Sequence, residues 1–257
     1  MNTEDKKKIV NELNLTFLKA GELSLLLRKQ GLIKEIKLDN TPVTNGDIEV
    51  NKIITNKIKE LTTEIPIVSE ESTSNKINKN LKTFWLIDPI DGTYDYIHNK
   101  DEFTINAALI INNRAEVGII YAPAKKRLFY SYEKSLSFEL TDNKEKKLNC
   151  KKITNPGEVK AVSYSNELKP AIKDLHKKFN VTEYKKMKSS LKICVVATGE
   201  YDLYVAEPRA YEWDIAAGHA ILKNAGGIIE DFDGKEILYG KKDFKNPSLI
   251  LKRSNSL

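Results

Sequence analysis

The sequence predicts a mixed α/β protein of the α+β type, with helices and strands in both halves of the chain. Apolar residues recur every three or four positions over residues 4–30, which is typical of a helix with one buried face. Residues 103–140 contain apolar runs separated by turn signals, and this pattern predicts antiparallel hairpins. Residues 159–251 alternate strand-like with helix-like segments, which predicts a second α/β unit.

The boundaries of these elements follow from the periodicity and from the breaking residues between them. Helices are predicted at residues 4–30, from Asp47 to about 61, at 168–179, 189–198 and 212–225. Strands are predicted at residues 66–69, 84–87, 103–111, 115–121, 127–133, 136–140, 159–163, 181–184, 203–206, 227–232 and 249–251.

Three polar segments are predicted to be loops. Residues 37–47 form one with a strand-like centre, residues 72–80 form a mobile one, and the lysine-rich residues 144–152 form a solvated one. The polar break at 141–156 separates an N-terminal lobe (1–150), holding the antiparallel sheet and most acidic candidates, from a C-terminal α/β lobe (151–257).

Length and composition limit the class of protein. The chain has 257 residues, 40% of them hydrophobic, and can form one domain or two lobes. Its apolar runs are far shorter than a membrane span, and the N-terminus has no apolar signal core. Cys150 and Cys194 have neither metal-binding nor redox spacing, which favours a reducing cytoplasm, although a disulfide between them stays open.

The chain is basic, with 42 Lys and Arg against 36 Asp and Glu, a formal net charge of +6. The lysines are scattered, and no aromatic residues are interleaved with basic ones, so we predict no nucleic-acid partner. An anionic small substrate is compatible with this charge. The three histidines, His98, His176 and His219, pair with no Ser or Cys motif, so no nucleophilic triad is predicted.

The most informative stretch is Asp88-Pro89-Ile90-Asp91-Gly92-Thr93, which follows the predicted strand at 84–87. Two carboxylates that converge at a strand end repel each other unless a cation lies between them. Oxygen ligands suit Mg²⁺ or Mn²⁺, and Mg²⁺ commonly works with phosphate substrates. The alternative is that Asp-Pro and Asp-Gly are ordinary turn dipeptides.

Further acids stand at comparable places. Asp47 lies near a helix start, and Glu70-Glu71 follow a short strand. Asp214 opens a helix whose residues Ala216, Ala217 and Gly218 are small, so that helix can approach another backbone and bring Asp214 toward the other acids. The alternatives are a helix N-terminal acid, an exposed acidic turn and an N-cap aspartate beside a buried Trp213.

Five motifs in one order now suggest a family. They are Thr44-x-x-Asp47, Ser69-Glu70-Glu71, Asp88-Pro89-Ile90-Asp91-Gly92-Thr93, Ser189-Ser190-x-Lys192 and Trp213-Asp214-x-Ala216-Ala217-Gly218. The chain resembles, over nearly its whole length, the lithium-sensitive, magnesium-dependent phosphatases of the inositol monophosphatase superfamily. Within it, the chain is most similar to the 3′(2′),5′-bisphosphate nucleotidases, which hydrolyse 3′-phosphoadenosine 5′-phosphate to AMP and phosphate.

The resemblance implies a layered αβαβα fold and a Mg²⁺-dependent phosphomonoesterase. It further implies two or three Mg²⁺ ions, a small phosphorylated substrate, and a monomer or homodimer. It places the protein in the cytoplasm, with peripheral association at the inner membrane as an alternative.

Site residues are implied by the same resemblance, position by position. The metal ligands would be Glu70, Asp88, the Ile90 carbonyl, Asp91 and Asp214. Asp47 and Thr93, with Glu70, would orient the attacking water. The N–H groups of Gly92 and Thr93 would hold the scissile phosphate, while Ser189, Lys192 and Asp214 would contact the substrate.

The resemblance is weaker at the outer nucleotide contacts. Tyr164-Ser165-Asn166 stands where these nucleotidases commonly have Arg-Ser-His, and Ala206 where they commonly have arginine, with Arg209 three residues further on. The alternative functions are an inositol monophosphatase or another sugar phosphatase and, from a different class, a metal-binding regulatory protein without turnover. Mg²⁺-dependent phosphate release from a panel of phosphomonoesters discriminates among them.

Overall fold

The computed structural model describes residues 1–37, 41–72, 81–150 and 157–257. The helices in these ranges are α1 (Thr3–Gln30), α2 (Asn45–Leu61), α3 (Thr93–Ile97), α4 (Pro170–Lys178), α5 (Leu191–Ala197) and α6 (Glu212–Asn224). The strands are β1 (Lys34–Ile36), β2 (Pro42–Thr44), β3 (Ile67–Ser69), β4 (Phe84–Asp91), β5 (Thr104–Ile111), β6 (Arg114–Ala122), β7 (Arg127–Glu133), β8 (Leu136–Thr141), β9 (Lys144–Lys147), β10 (Val159–Ser163), β11 (Val181–Lys186), β12 (Leu203–Ala206), β13 (Ile228–Glu230) and β14 (Leu249–Lys252).

The first half of the chain forms a seven-stranded sheet in the order β3-β4-β5-β6-β7-β8-β9. Strand β3 runs parallel to β4, and the remaining neighbours are antiparallel. The hairpin predicted at Asn112-Asn113 is confirmed, and both residues have positive φ values of 51° and 63°. Asparagine tolerates that left-handed backbone, which matches the twist of a tight hairpin.

The second half forms a five-stranded sheet in the order β11-β10-β12-β14-β13. Strand β10 is parallel to β11 and β12, whereas β14 is antiparallel to β12 and β13. Helix α4 connects the parallel strands β10 and β11, as a crossover requires.

Helices separate and cover the two sheets. One face of the seven-stranded sheet packs on α1 and α2 in a cluster that includes Phe17, Ile54 and Trp85. Its other face packs on α5 and α6, which also contact the five-stranded sheet. The outer face of the five-stranded sheet packs on α4 through Ile172 and Leu175. The order of layers is therefore αβαβα, and the predicted fold class is confirmed.

Helix α6 lies unusually close to β6. An added Cβ at Gly118 in β6 would lie 2.2 Å from the carbonyl oxygen of Ala217 in α6. On the same helix, an added Cβ at Gly218 would lie 2.7 Å from the Ile193 side chain of α5. The close approach expected from Ala217 and Gly218 is confirmed, and it holds α6 between its neighbours.

Some local predictions were wrong. The predicted solvated loop at 144–152 contains the edge strand β9, which pairs with β8. The helix predicted from residue 189 begins at Leu191, because Ser189 has a left-handed backbone with φ of 52°. Within the predicted loop at 37–47 the strand-like centre is confirmed as β2, but α2 begins at Asn45 and not after Asp47.

The two predicted lobes share a hydrophobic cluster that includes Phe84 and Ile120 from the first half and Val162 and Leu251 from the second. The boundary predicted at 141–156 lies partly outside the described residues, as do most of the predicted mobile loop at 72–80 and the stretch 38–40. Cys150 and Cys194 are both free thiols. Within the described ranges, no helix is both long and apolar enough to cross a membrane.

Candidate active site

Three carboxylates from two elements converge at one end of the seven-stranded sheet. Asp88 and Asp91 belong to β4, and Asp214 lies in the first turn of α6. A ligand oxygen from each of the three lies within 4.8 Å of the others. They line a pocket of about 370 Å³ together with Glu70 and the backbone around Ile90. The sequence predicted this convergence.

An irregularity in β4 places Asp88 and Asp91 on the same face. Residues three apart in a regular strand point to opposite faces. Here Asp88 pairs with Asn106 and Asp91 pairs with Thr104, so three residues of β4 oppose two of β5. The extra residue at Pro89-Ile90 acts as a β-bulge and turns both carboxylates toward the pocket.

Asp214 is held by its own helix. Its Oδ2 accepts a hydrogen bond of 2.7 Å from the backbone N–H of Tyr211, which caps the start of α6. The close packing of Gly118 and Ala217 fixes α6 against β6 and therefore fixes Asp214 relative to β4. The helix N-terminus also favours a carboxylate at this position.

Glu70 lies at the end of β3, in a single 3₁₀ turn spanning Glu70–Ser72. Its Oε1 lies 3.4 Å from Nζ of Lys37, and Oε1 of Glu71 lies 2.7 Å from the same Nζ. Glu70 lines the same pocket as the three aspartates without belonging to their tight cluster.

Asp47 lies behind the pocket wall and contacts Thr93. Its Oδ2 accepts hydrogen bonds from the N–H and the hydroxyl of Thr44, at 2.8 and 2.6 Å. Its Oδ1 lies 3.4 Å from the hydroxyl of Thr93, which is also 3.1 Å from the carbonyl oxygen of Ile90. The structure therefore brings Asp47 and Thr93 into contact, the two residues that the resemblance pairs, and Thr93 lines the pocket.

Gly92 and Ser189 adopt backbone conformations that shape the pocket. Gly92 has φ of 94°, and an added Cβ would lie 3.0 Å from the carbonyl oxygen of Glu102, so glycine is required there. Ser189 precedes α5 and is buried in the pocket wall. Lys192 is only 7% exposed, and its Nζ donates to the carbonyl oxygen of Ser189.

Burial and mutual repulsion raise the pKa values of these carboxyl groups. Burial, followed by the charges of Asp91 and Glu70, raises the pKa of Asp214 to about 8. Burial is also the main reason that the pKa of Glu70 rises to about 7 and that of Asp47 to about 6. For Asp88, burial and the charges of Glu70 and Asp91 raise the pKa well above its usual range.

The donors present fit a hard divalent cation. A cation among the carboxylates would offset the repulsion that raises these pKa values. The donor set is all oxygen, which suits Mg²⁺ or Mn²⁺. On the neighbouring strand β5, Thr104 and Asn106 pair in register with Asp91 and Asp88, and their buried oxygens Thr104 Oγ1 and Asn106 Oδ1 have no hydrogen-bond partner among the described residues.

Sequence reasoning missed two groups of residues. Ser190 links Asp91 to α6, because its Oγ lies 2.6 Å from both Asp91 Oδ2 and the Asp214 carbonyl oxygen. Lys188 and Tyr164 line the same pocket as the acids, with Lys188 Nζ 3.3 Å from the centroid of the Tyr164 ring. The adjacency of Ser190 to Ser189 was visible, but nothing in the spacing indicated which serine would contact the acids.

The layered αβαβα fold and the acid cluster are those expected of the inositol monophosphatase superfamily, and comparison with known proteins agrees. A model of the inositol monophosphatase family matches residues 6–256. The chain therefore belongs to the inositol monophosphatase family.

The individual proteins that resemble this chain carry more specific names than the family does. The chain is 36% identical over 204 residues to the 3′(2′),5′-bisphosphate nucleotidase CysQ of Buchnera aphidicola, covering 79% of this chain and 76% of that one. It is 30% identical over 249 residues to the nucleotidase of the same name from Haemophilus influenzae, covering 95% and 92%. The crystal structure of CysQ from Bacteroides thetaiotaomicron is similar, with a TM-score of 0.77, 30% identity and coverage of 96% and 97%.

Proposed function

We propose that this protein is a Mg²⁺-dependent phosphomonoesterase that hydrolyses 3′-phosphoadenosine 5′-phosphate to AMP and phosphate. The observation that carries the proposal is the cluster of Asp88, Asp91 and Asp214, of which Asp88 is buried and the other two are half-buried, in a pocket that also has basic side chains. The relatives described above are named for this bisphosphate nucleotidase activity.

The residues that would hold metal are Glu70, Asp88, the carbonyl of Ile90, Asp91 and Asp214. Bound there, two or three Mg²⁺ ions would lower the pKa of a coordinated water and offset charge on the phosphate and the leaving oxygen. The carboxylates do this work only when ionised, so metal binding at neutral pH must displace the protons that their raised pKa values favour.

Asp47 and Thr93 would orient the attacking water. When Thr93 donates its one hydroxyl proton to Asp47, the lone pairs of the same oxygen can accept a hydrogen bond from a water in the pocket. A water held in this way directs a lone pair toward phosphorus and loses its proton more readily. Thr44 fixes the far side of the Asp47 carboxylate with two hydrogen bonds.

The substrate would be held from two sides. Gly92 and Thr93 lie at the start of α3, where backbone N–H groups can donate to phosphate oxygens. Ser189, Lys192 and Asp214 line the pocket beside them. In this arrangement the water oxygen bonds to phosphorus as the P–O ester bond breaks, one water proton ends on the nucleoside hydroxyl and the other on the released phosphate, and no phosphoenzyme forms.

The proposal is tested by phosphate release with Mg²⁺ from 3′-phosphoadenosine 5′-phosphate, inositol 1-phosphate and a sugar phosphate. We expect the bisphosphate to have the highest kcat/KM. Asp91→Asn should nearly abolish turnover, because it removes a ligand charge without changing volume. A preference for inositol 1-phosphate would move the protein to the inositol monophosphatases.

A matched control is Asp101→Asn. Asp101 is exposed, and its one ion pair among the described residues is a 3.9 Å contact with Arg28, outside the pocket. A surface pair of this kind contributes little to stability. Near-normal activity of Asp91→Asn at saturating Mg²⁺ would remove Asp91 from the site, whereas Asp101→Asn should match the wild type.

A further inference from the structure

We propose that Lys188 and Arg209, held apart by the ring of Tyr164, bind the second phosphate of a bisphosphorylated substrate and so select it over a monophosphate. This inference rests on the proposed phosphatase function and names specificity-determining residues for it. All three side chains line the pocket that contains the carboxylate cluster.

The three side chains form a sandwich. Nζ of Lys188 lies 3.3 Å from the centroid of the Tyr164 ring, and the guanidinium carbon of Arg209 lies 3.4 Å from it. Two groups that close to one centroid would overlap if they shared a face of the ring. They therefore lie on opposite faces, where each gains a cation–π contact and the ring separates their charges.

Among the described residues, the sandwich has no carboxylate counter-ion. In the described part of the chain, neither Lys188 nor Arg209 forms an ion pair with a carboxylate. Glu102 does contact Lys188, but through the backbone: its Oε2 accepts a hydrogen bond of 2.9 Å from the Lys188 N–H and not from the side-chain ammonium. Two adjacent cations without a carboxylate leave an excess of positive charge, which an anionic ligand would balance.

The two cations also change the pKa of the Tyr164 phenol between them. Burial raises the pKa of the Tyr164 phenol, but Arg209 and Lys188 lower it by more, so the pKa is lowered overall. Tyr164 and Arg209 are exposed and Lys188 is half-buried. Their donor groups are therefore accessible from the pocket.

Lys192 is less suited to this role than the sandwich. It is almost fully buried, and its Nζ already donates to the carbonyl oxygen of Ser189. Burial lowers its pKa, although the charges of Asp91 and Asp214 raise it. Lys192 therefore balances the acids, whereas Lys188 and Arg209 keep donors available for a ligand.

The position of the sandwich fits a molecule with two phosphates. Lys188 is two residues from Ser190, whose hydroxyl contacts Asp91, so the basic and acidic sides of the pocket are joined by one short segment. A pocket of about 370 Å³ lies within the range of small-ligand sites. With the scissile phosphate at the carboxylates, a second phosphate on the same substrate would contact these cations in the same pocket.

The structure also accounts for a departure in the sequence. An arginine is expected near position 206, where this chain has Ala206, and Tyr164 replaces another expected arginine. Arg209 reaches the same pocket from three residues further along and lies on the Tyr164 ring. Although Tyr164 and Ala206 replace the two expected arginines, the pocket still has cations, which Lys188 and Arg209 supply from other positions.

The test compares kcat/KM for 3′-phosphoadenosine 5′-phosphate and for 3′-AMP, which has the same scissile ester but no second phosphate. We expect Lys188→Met and Arg209→Met each to lower the bisphosphate-to-monophosphate ratio by about tenfold or more, since each removes a charged hydrogen bond. The double variant should lower it further. Thermal unfolding of each variant verifies that it is folded.

Lys186→Met is the matched control. Lys186 is an exposed lysine at the end of β11, two residues before Lys188, and does not line the pocket. It should leave the ratio unchanged. If Lys188→Met and Arg209→Met lowered kcat/KM equally for both substrates, the second-phosphate site would be overturned. A wild-type ratio of the two kcat/KM values close to one would overturn it as well. Failure of the proposed function is distinct, because the wild type would then release no phosphate from either nucleotide.

Discussion

Ser190 illustrates how one hydroxyl can couple two elements of the site. Its Oγ lies 2.6 Å from Asp91 Oδ2 on β4 and 2.6 Å from the carbonyl oxygen of Asp214 on α6. It also accepts a hydrogen bond of 2.9 Å from Asn106 Nδ2 on β5. With a single proton, Ser190 donates to one of its two acceptors at a time, so it orients Asp91 and ties α6 to the sheet. Partners of this kind commonly tune metal affinity.

We therefore expect Ser190→Ala to weaken the affinity for Mg²⁺ by about tenfold. The reason is that Asp91 loses the group that fixes its rotamer. Isothermal titration with Mg²⁺ measures this without turnover. The control is Ser137→Ala, which removes another buried serine bonded to α6, at the Ile221 carbonyl, away from the acids. Unchanged Mg²⁺ affinity in Ser190→Ala would leave Ser190 a purely structural residue.

Thr93 makes a different kind of contribution. Thr93→Ala should lower kcat by about a hundredfold or more and change KM little, because the hydroxyl orients water rather than the ground-state substrate. Thr93→Ser keeps the hydroxyl that contacts Asp47 and should retain most of the activity. Steady-state kinetics on the bisphosphate check both variants. A change in KM alone would show that Thr93 only positions phosphate.

At the scale of elements, the approach of α6 to β6 sets the geometry of the acids. Asp214 reaches β4 only because no side chain separates Gly118 from the Ala217 carbonyl. Gly118→Ala would place a Cβ 2.2 Å from that oxygen, and backbone on both sides must then move. Overpacking of this kind costs about 1–3 kcal/mol.

Gly118→Ala should accordingly lower Tm by several degrees and weaken Mg²⁺ binding together, because Asp214 moves away from Asp88. Calorimetric melting and Mg²⁺ titration measure the two effects. Gly157→Ala is the control, since an added Cβ there meets nothing within 4 Å. A stable Gly118→Ala variant with normal Mg²⁺ affinity would contradict the idea that this packing positions Asp214.

Local sequence patterns predicted the secondary structure and the placement of the acids well where burial of apolar or small side chains decides the conformation. The continuous apolar run before Asp88 predicted β4, and the small residues after Asp214 predicted a closely packed helix. The bulge at Pro89-Ile90 depends on pairing with β5, which one segment cannot reveal. Strand β9, made of four exposed charged residues, owes its conformation to backbone pairing with β8 rather than to a buried face. The Lys188–Tyr164–Arg209 sandwich joins segments far apart in sequence.

The whole molecule concentrates carboxyl groups in one place. Folding buries Glu70, Asp88 and Asp214 together, and their pKa values rise for that reason. A carboxyl group whose pKa is higher in the folded state holds a proton that the unfolded chain has already lost. Stability from such a group is complete below its unfolded pKa and disappears as the pH rises through its folded pKa. For Glu70 and Asp214 the loss begins above the unfolded carboxyl pKa of about 4 and is complete only above the folded values of about 7 and about 8.

The metal-free protein should therefore lose stability between pH 6.5 and pH 8. Burial lowers the pKa of His219 to about 3, and most of its opposing contribution arises below pH 6.5, so it offsets little of the fall. Each proton held only by the folded state contributes about 1.4 kcal/mol per pH unit, and each kcal/mol shifts Tm by about 2–4 °C in a chain of this size. Differential scanning calorimetry in a chelator should show this fall, and Asp214→Asn should make it shallower.

Mg²⁺ should reverse that fall. Because the ligands bind metal only after losing their protons, Mg²⁺ should raise Tm more at pH 8 than at pH 6.5. Sodium chloride at equal ionic strength controls for general screening and should not restore the stability lost at pH 8. If the metal-free Tm were flat or rising across this window, or if Mg²⁺ stabilised the protein equally at both values, the buried carboxylates would not be the groups that couple proton release to metal binding.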